Sequence, residues 1–82
     1  MKPKMTLLEL APGNSSTVVE VNDHDPEMLR YLTGLGIGLN TEVTVEQIEP
    51  FDGPLTLKVA NQQHSISRVV ASNIFVADNS AA

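Results

Sequence analysis

The sequence predicts an all-β domain with one short helix, closed into a small and strongly bent barrel. Three observations carry that prediction. Short segments of alternating apolar and polar residues recur along the chain, turn residues separate them, and a single stretch has apolar positions at helical spacing. The length of 82 residues admits one domain, near the lower end of what folds on a single core.

Residues 1–5 read as an N-terminal tail, 6–77 as the domain and 78–82 as a C-terminal tail. Leu7, Leu8 and Leu10 precede Ala11-Pro12-Gly13-Asn14, a strong turn signal. Residues 17–21 alternate as a strand, with Val19 and Val21 expected on one face. Asp25 suits a helix N-cap, Pro26 the first helical position, and Glu27 the positive end of the dipole. Met28, Leu29, Leu32 and Leu35 follow at helical spacing, and Gly34 and Gly36 stop the helix, which is expected near residues 26–34. Residues 41–48 form the next strand, with Val43 and Val45 together on one face. Ile48 breaks that parity and predicts a bulge or strong bend.

Pro50-Phe51-Asp52-Gly53-Pro54 is a turn with a mechanism. Gly53 can take φ > 0, and each proline fixes its own φ and cannot donate to a ladder. Leu55, Leu57 and Val59 alternate with Thr56, Lys58 and Ala60 in the third strand. The chain turns through Asn61, returns over residues 64–67, makes one helical turn over 68–72, and closes the sheet with Ile74-Phe75-Val76. The expected core is Val19, Val21, Leu29, Leu32, Val43, Val45, Leu57, Val59, Ile66, Ile74 and Val76.

Ten carboxylates against five basic side chains give a net charge of −5. The bases, Lys2, Lys4, Arg30, Lys58 and Arg68, are scattered and form no stripe. Direct binding of this domain to nucleic acid or to an anionic membrane is therefore disfavoured, since both need clustered positive charge. Cysteine is absent, which excludes disulfides, thiolate zinc sites and thiol nucleophiles, and leaves oxygen and histidine ligands for any metal. That composition fits a reducing cytosol, and a cytoplasmic location is expected. No apolar run approaches the ~18 residues of a membrane span. The apolar stretch after Met1-Lys2-Pro3-Lys4 breaks at Glu9 and Pro12, which argues against a signal peptide. Asn14-Ser15-Ser16 matches a glycosylation sequon but reads as a polar turn.

Several motifs invite a functional reading. Gly34-Leu35-Gly36-Ile37-Gly38 fails as a phosphate loop, because its glycines follow a helix rather than open one and no Gly-Lys-Ser/Thr comes after. Asp23, His24, Asp25 and Glu27 bring carboxylates and an imidazole together and could hold a divalent cation, although capping alone accounts for Asp25 and Glu27. His64 shares strand parity with Ile66 and is expected inward or at the barrel rim, as a structural residue before a ligand. Two histidines, no cysteine, no nucleophile elbow and no paired carboxylates leave no catalytic constellation, so the chain is not expected to be an enzyme. Phe51, Phe75 and Tyr31 are too spread for a base-stacking platform. Phe51 is expected to plug the barrel mouth, with a partner contact as the alternative.

Taken in order, four pieces resemble one family. They are Leu8-Glu9-Leu10-Ala11-Pro12-Gly13, then Asp25-Pro26-Glu27 with Leu29-Arg30-Tyr31-Leu32, then Leu35-Gly36-Ile37, and Pro50 to Leu55 with His64. The set is similar to the SH3-like C-terminal domain of metal-dependent repressors of the diphtheria toxin repressor class. The same fold occurs as the stand-alone ferrous-transport accessory protein FeoA. The first and third pieces look like both groups, and the second and fourth look more like the repressors. In that class the chain runs from a winged-helix DNA-binding domain through a metal-binding dimerisation domain to this module.

The resemblance implies an SH3-like barrel over about residues 6–77, and it implies a role at a metal centre. Repressors of the class take a Glu and a Gln three residues later from this module to an ancillary metal site. Asp25 stands where the Glu does and Met28 where the Gln does, and Met28 is a poor ligand for a hard divalent ion. The cation so implied is Fe²⁺ or Mn²⁺, held weakly by the domain alone with Asp25, His24 and Glu27 as candidate ligands. The implied partners are the other domains of a metal-dependent regulator, for a module acting by intramolecular contact or binding proline-rich peptide. The alternative is a ferrous iron transporter, for a free-standing accessory protein. Neither role has this domain touching DNA or entering a membrane.

Overall fold

The computed structural model describes residues 4–22 and 25–77. Six strands and two helices follow in the order β1 Lys4–Thr6, β2 Ser15–Val21, α1 Pro26–Gly34, β3 Glu42–Ile48, β4 Leu55–Val59, β5 Gln62–Ile66, α2 Arg68–Ala71 and β6 Ile74–Ala77. A 3-10 turn over Leu7–Glu9 joins β1 to the Pro12-Gly13 turn. All pairings are antiparallel, and the strand order is β1-β6-β2-β3-β4-β5.

β2 serves both halves of the barrel. Its first residues, Ser15 to Thr17, pair with β3, and from Val18 onward it pairs with β6. The ladder slips between Val18 and Glu20, which turns the strand and reverses the expected parity. Val18 is fully buried, whereas Val19, expected in the core, is 45% exposed. Val21 and Leu29, also expected inside, are only half-buried, and of the two Val21 packs against the edge of the core. A second slip, between Val45 and Gln47, is the bend that Ile48 announced.

The rest of the expected core is buried: Leu32, Val43, Val45, Leu57, Val59, Ile66, Ile74 and Val76. Leu7, Leu10, Val18, Ile37, Leu55 and Ala71 complete it. Leu7 enters because the 3-10 turn after β1 points it under the sheet. The expected N-terminal tail is shorter than residues 1–5, since Lys4 and Met5 lie in β1, opposite Ala77 and Val76.

Helix α1 runs over the residues expected of it. The Asp25 carboxylate accepts a hydrogen bond from the Glu27 N–H at 3.0 Å, and Pro26 takes the first turn. At the far end Gly36 has φ +81°, the Gly36 N–H reaches the Thr33 carbonyl at 3.0 Å, and the Ile37 N–H reaches that of Leu32 at 2.9 Å. That double closure is a Schellman motif, and Leu32 and Ile37 are its buried apolar pair. Of the two glycines expected to stop the helix, Gly36 therefore supplies the left-handed residue and Gly34 is still helical.

Candidate functional site

The helix start is the first place to look for a cation. The Asp25 side chain faces its own helix and accepts the Glu27 N–H, so one of its oxygens already serves as a cap. Both Asp25 and Glu27 are exposed. His24 and Asp23 lie outside the described residues. Met28 is half-buried and packs against the core, as its helical spacing indicated. Among the described residues no three His, Cys, Asp or Glu side chains gather as a metal would require. The described donor set does not by itself fit a tightly held divalent ion. His64 is half-buried on β5 opposite Leu57, on the face that also buries Ile66.

The turn between β3 and β4 is the most differentiated surface feature. The Gly53 N–H closes onto the Pro50 carbonyl at 3.1 Å, and the Glu49 N–H onto the Pro54 carbonyl at 3.1 Å. Its two central residues are Phe51 at φ +59° and Asp52 at φ +62°, as in a type I′ turn. The positive φ expected of Gly53 is thus carried by Phe51 and Asp52. Gly53 is needed for a different reason, because a Cβ there would lie 2.6 Å from the Glu49 Cβ and 3.1 Å from the Pro50 oxygen.

The turn is held from across the fold by Arg68, at the start of α2. Its Nε donates to the Gly53 carbonyl at 3.0 Å, and its terminal guanidinium nitrogen to that of Glu49 at 2.7 Å. One cation thereby satisfies carbonyls on both sides of the turn. Phe51 stands at the tip and is 99% exposed. It plugs nothing, and of its two expected roles only that of an outward contact fits this geometry.

A second feature lies by α1. Among the described residues, Val21, Leu29, Leu32, Thr33, Ile37, Gly38 and Leu39 line an open groove of about 240 Å³, and none of these seven carries a charge. Leu39, at its rim, is 64% exposed. Sequence reasoning missed this groove and the part played by Arg68. The first arises because the Schellman closure folds Ile37 back under α1, leaving Leu39 beyond it. The second joins residues 15 to 19 positions apart, and no local pattern signals it.

These features sit on a small SH3-like barrel with one substantial helix. The chain belongs to the FeoA-domain family, whose description matches residues 5–78. A manganese-dependent transcriptional repressor superimposes with a TM-score of 0.87 at 27% identity, over 95% of this chain and 43% of that one. A crystal structure of an iron uptake regulatory protein, FeoA, superimposes with a TM-score of 0.83 at 21% identity, over 92% of this chain and 97% of that one. A FeoA-like protein from Clostridium acetobutylicum gives 0.82 at 22% identity, over 93% and 87%. The chain thus spans less than half of the repressor but nearly all of the FeoA protein. No curated protein sequence matches it.

Proposed function

We propose that this domain is a non-enzymatic interaction module, the C-terminal SH3-like unit of a metal-dependent transcriptional repressor, acting by contact with that regulator's other domains. The observation that carries a contact role is the Phe51 turn, an apolar tip left wholly exposed on a loop that Arg68 fastens. The repressor setting is favoured by the 27% identity to a manganese-dependent repressor over 95% of the chain. The second reading is a free-standing FeoA-like accessory protein of ferrous iron transport. It is supported by the near-complete coverage of a FeoA protein. In both settings the work is done in the cytoplasm by protein contact, since the net charge of −5 repels duplex DNA.

Reading the gene upstream of Met1 separates the two. An open frame continuing back into a winged helix and a dimerisation domain supports the repressor module. A stop codon directly upstream, with a ferrous transporter gene alongside, supports the accessory protein.

The domain's own share in metal binding is small. Two or three carboxylates and His24 at one helix start make an incomplete coordination sphere, so Mn²⁺ or Co²⁺ should bind in about the high micromolar range or more weakly. Backbone amide signals should respond chiefly over residues 23–27. Submicromolar affinity, or broadening centred on His64, would show the site to be elsewhere.

A further inference from the structure

Strand β5 is an open edge of the sheet. It stands last in the strand order and, among the described residues, pairs with β4 alone. The β4–β5 hairpin fixes which of its backbone groups face outward. Ala60 and Asn61, at φ +51° and +65°, make a two-residue type I′ loop between Val59 and Gln62. Gln62 therefore bonds back to Val59, and by the alternation of an antiparallel ladder His64 and Ile66 also bond toward β4. The N–H and C=O groups of Gln63 and Ser65 point the other way. Both residues are exposed, and among the described residues no backbone hydrogen bond reaches those four groups. Two donors and two acceptors thus face water at the two-residue repeat of an extended chain, ~6.8 Å.

Such edges are commonly blunted by short length, a charge, a proline or a bulge. At the opposite edge β1 is only three residues long. By contrast β5 has five residues, an unbroken register, no proline and no lysine, arginine, aspartate or glutamate. We propose that β5 takes an extended, basic segment of another protein as an added antiparallel strand. Residues of that segment opposite Gln63 and Ser65 lie on the water side, and the one between them lies beside half-buried His64. Charge on the water side selects the guest. The Gln63 Nε2 donates to the Glu46 carboxylate at 2.7 Å, which holds that anion next to the edge. Exposed Glu42 and Glu46 outnumber Lys58 on this face of β3, β4 and β5. A lysine or arginine opposite Gln63 is long enough to reach Glu46. A second copy is the poorer guest, because it brings a charge of −5 again and no base on its own β5. The proposal stands apart from the Phe51 turn and from the choice between the two settings above.

Selection of the whole chain against a display library of random twelve-residue peptides tests this, followed by amide spectra with the enriched peptides. The expected peptides carry lysine or arginine at alternate positions and bind with a Kd of about 100 μM or tighter. Their addition should shift the amides of residues 62–66 and slow the exchange of the Gln63 and Ser65 N–H groups. Ser65→Pro removes an outward donor while sparing the β4 ladder, and should weaken binding by at least about tenfold. Glu46→Gln should weaken it about threefold. N-methylation of the peptide residue opposite Ser65 should abolish binding, and it tests the same hydrogen bonds without touching the protein. A library that yields no peptide overturns the proposal. So do peptides that shift the Phe51 turn or the α1 groove instead, that are acidic, or that bind as well after N-methylation. A free chain that dimerises through β5 overturns the choice of a different protein as the guest.

Discussion

Replacing Phe51 by asparagine should make the protein more stable, although a large apolar side chain is lost. Phe51 sits at φ +59°, where an ordinary L-residue is disfavoured by roughly 1–2 kcal/mol. Asparagine tolerates that region because its short polar side chain bonds locally. Against this gain stands the lost burial, and Phe51 is 99% exposed. About 1% of a ~200 Å² side chain, at ~25 cal/mol per Å², is below about 0.1 kcal/mol. Relief of backbone strain therefore wins, and the net gain should be about 0.5–1 kcal/mol, or several degrees in Tm for a domain of this size. Urea denaturation measures it as a higher midpoint at unchanged m-value. Phe51→Ala is the control: alanine keeps the left-handed penalty and should leave stability unchanged. A Phe51→Asn variant that loses about 0.5 kcal/mol or more would refute the reasoning, because Phe51 would then have to be packed against something.

The other expectations concern what lies beneath that tip. Arg68→Met leaves the Glu49 and Gly53 carbonyls without their donor and should cost about 2–3 kcal/mol, with amide exchange quickened over residues 49–54. Gly53→Ala should cost about 1–3 kcal/mol, since the new methyl would sit 2.6 Å from the Glu49 Cβ; denaturant titration that finds it neutral would mean the turn opens without strain. Leu32→Ala removes a side chain 1% exposed and should cost about 2–4 kcal/mol in the same measurement, a large share of a small domain's stability.

The parts of the fold legible in the sequence were those written locally. Asp25-Pro26-Glu27 specified the start of α1, and Ile48 out of phase with Val45 specified a bend in β3. Asn61 marked the β4–β5 turn, though Ala60 shares the positive φ with it. The misreadings came from effects acting at a distance. Val18 and Val19 are equally apolar, and only the slip of β2 against β6 decides which one faces inward. Lys4 to Thr6 carries no strand signal and is ordered by pairing with the last strand. At the candidate site, the turn was legible as a turn, but not which residues would carry its unusual backbone. Glycine is the residue that tolerates positive φ most cheaply, so it was expected there; the close approach of Glu49 claimed Gly53 for another purpose.

The division of β2 between two sheets has a consequence for how the chain is made. Lys4 pairs with Ala77, and Val18 with Val76, so the strand that completes the barrel is the last to be synthesised. Until it leaves the ribosome, the second half of β2 has no strand to pair with, and Leu7 and Val18 lack the cover that β6 gives them. The β3–β4–β5 meander can form early from near neighbours in sequence, whereas closure waits on contacts spanning almost the whole chain. Truncation even a few residues before Ala77 would leave an unpaired, apolar strand edge, the kind of surface on which chains aggregate.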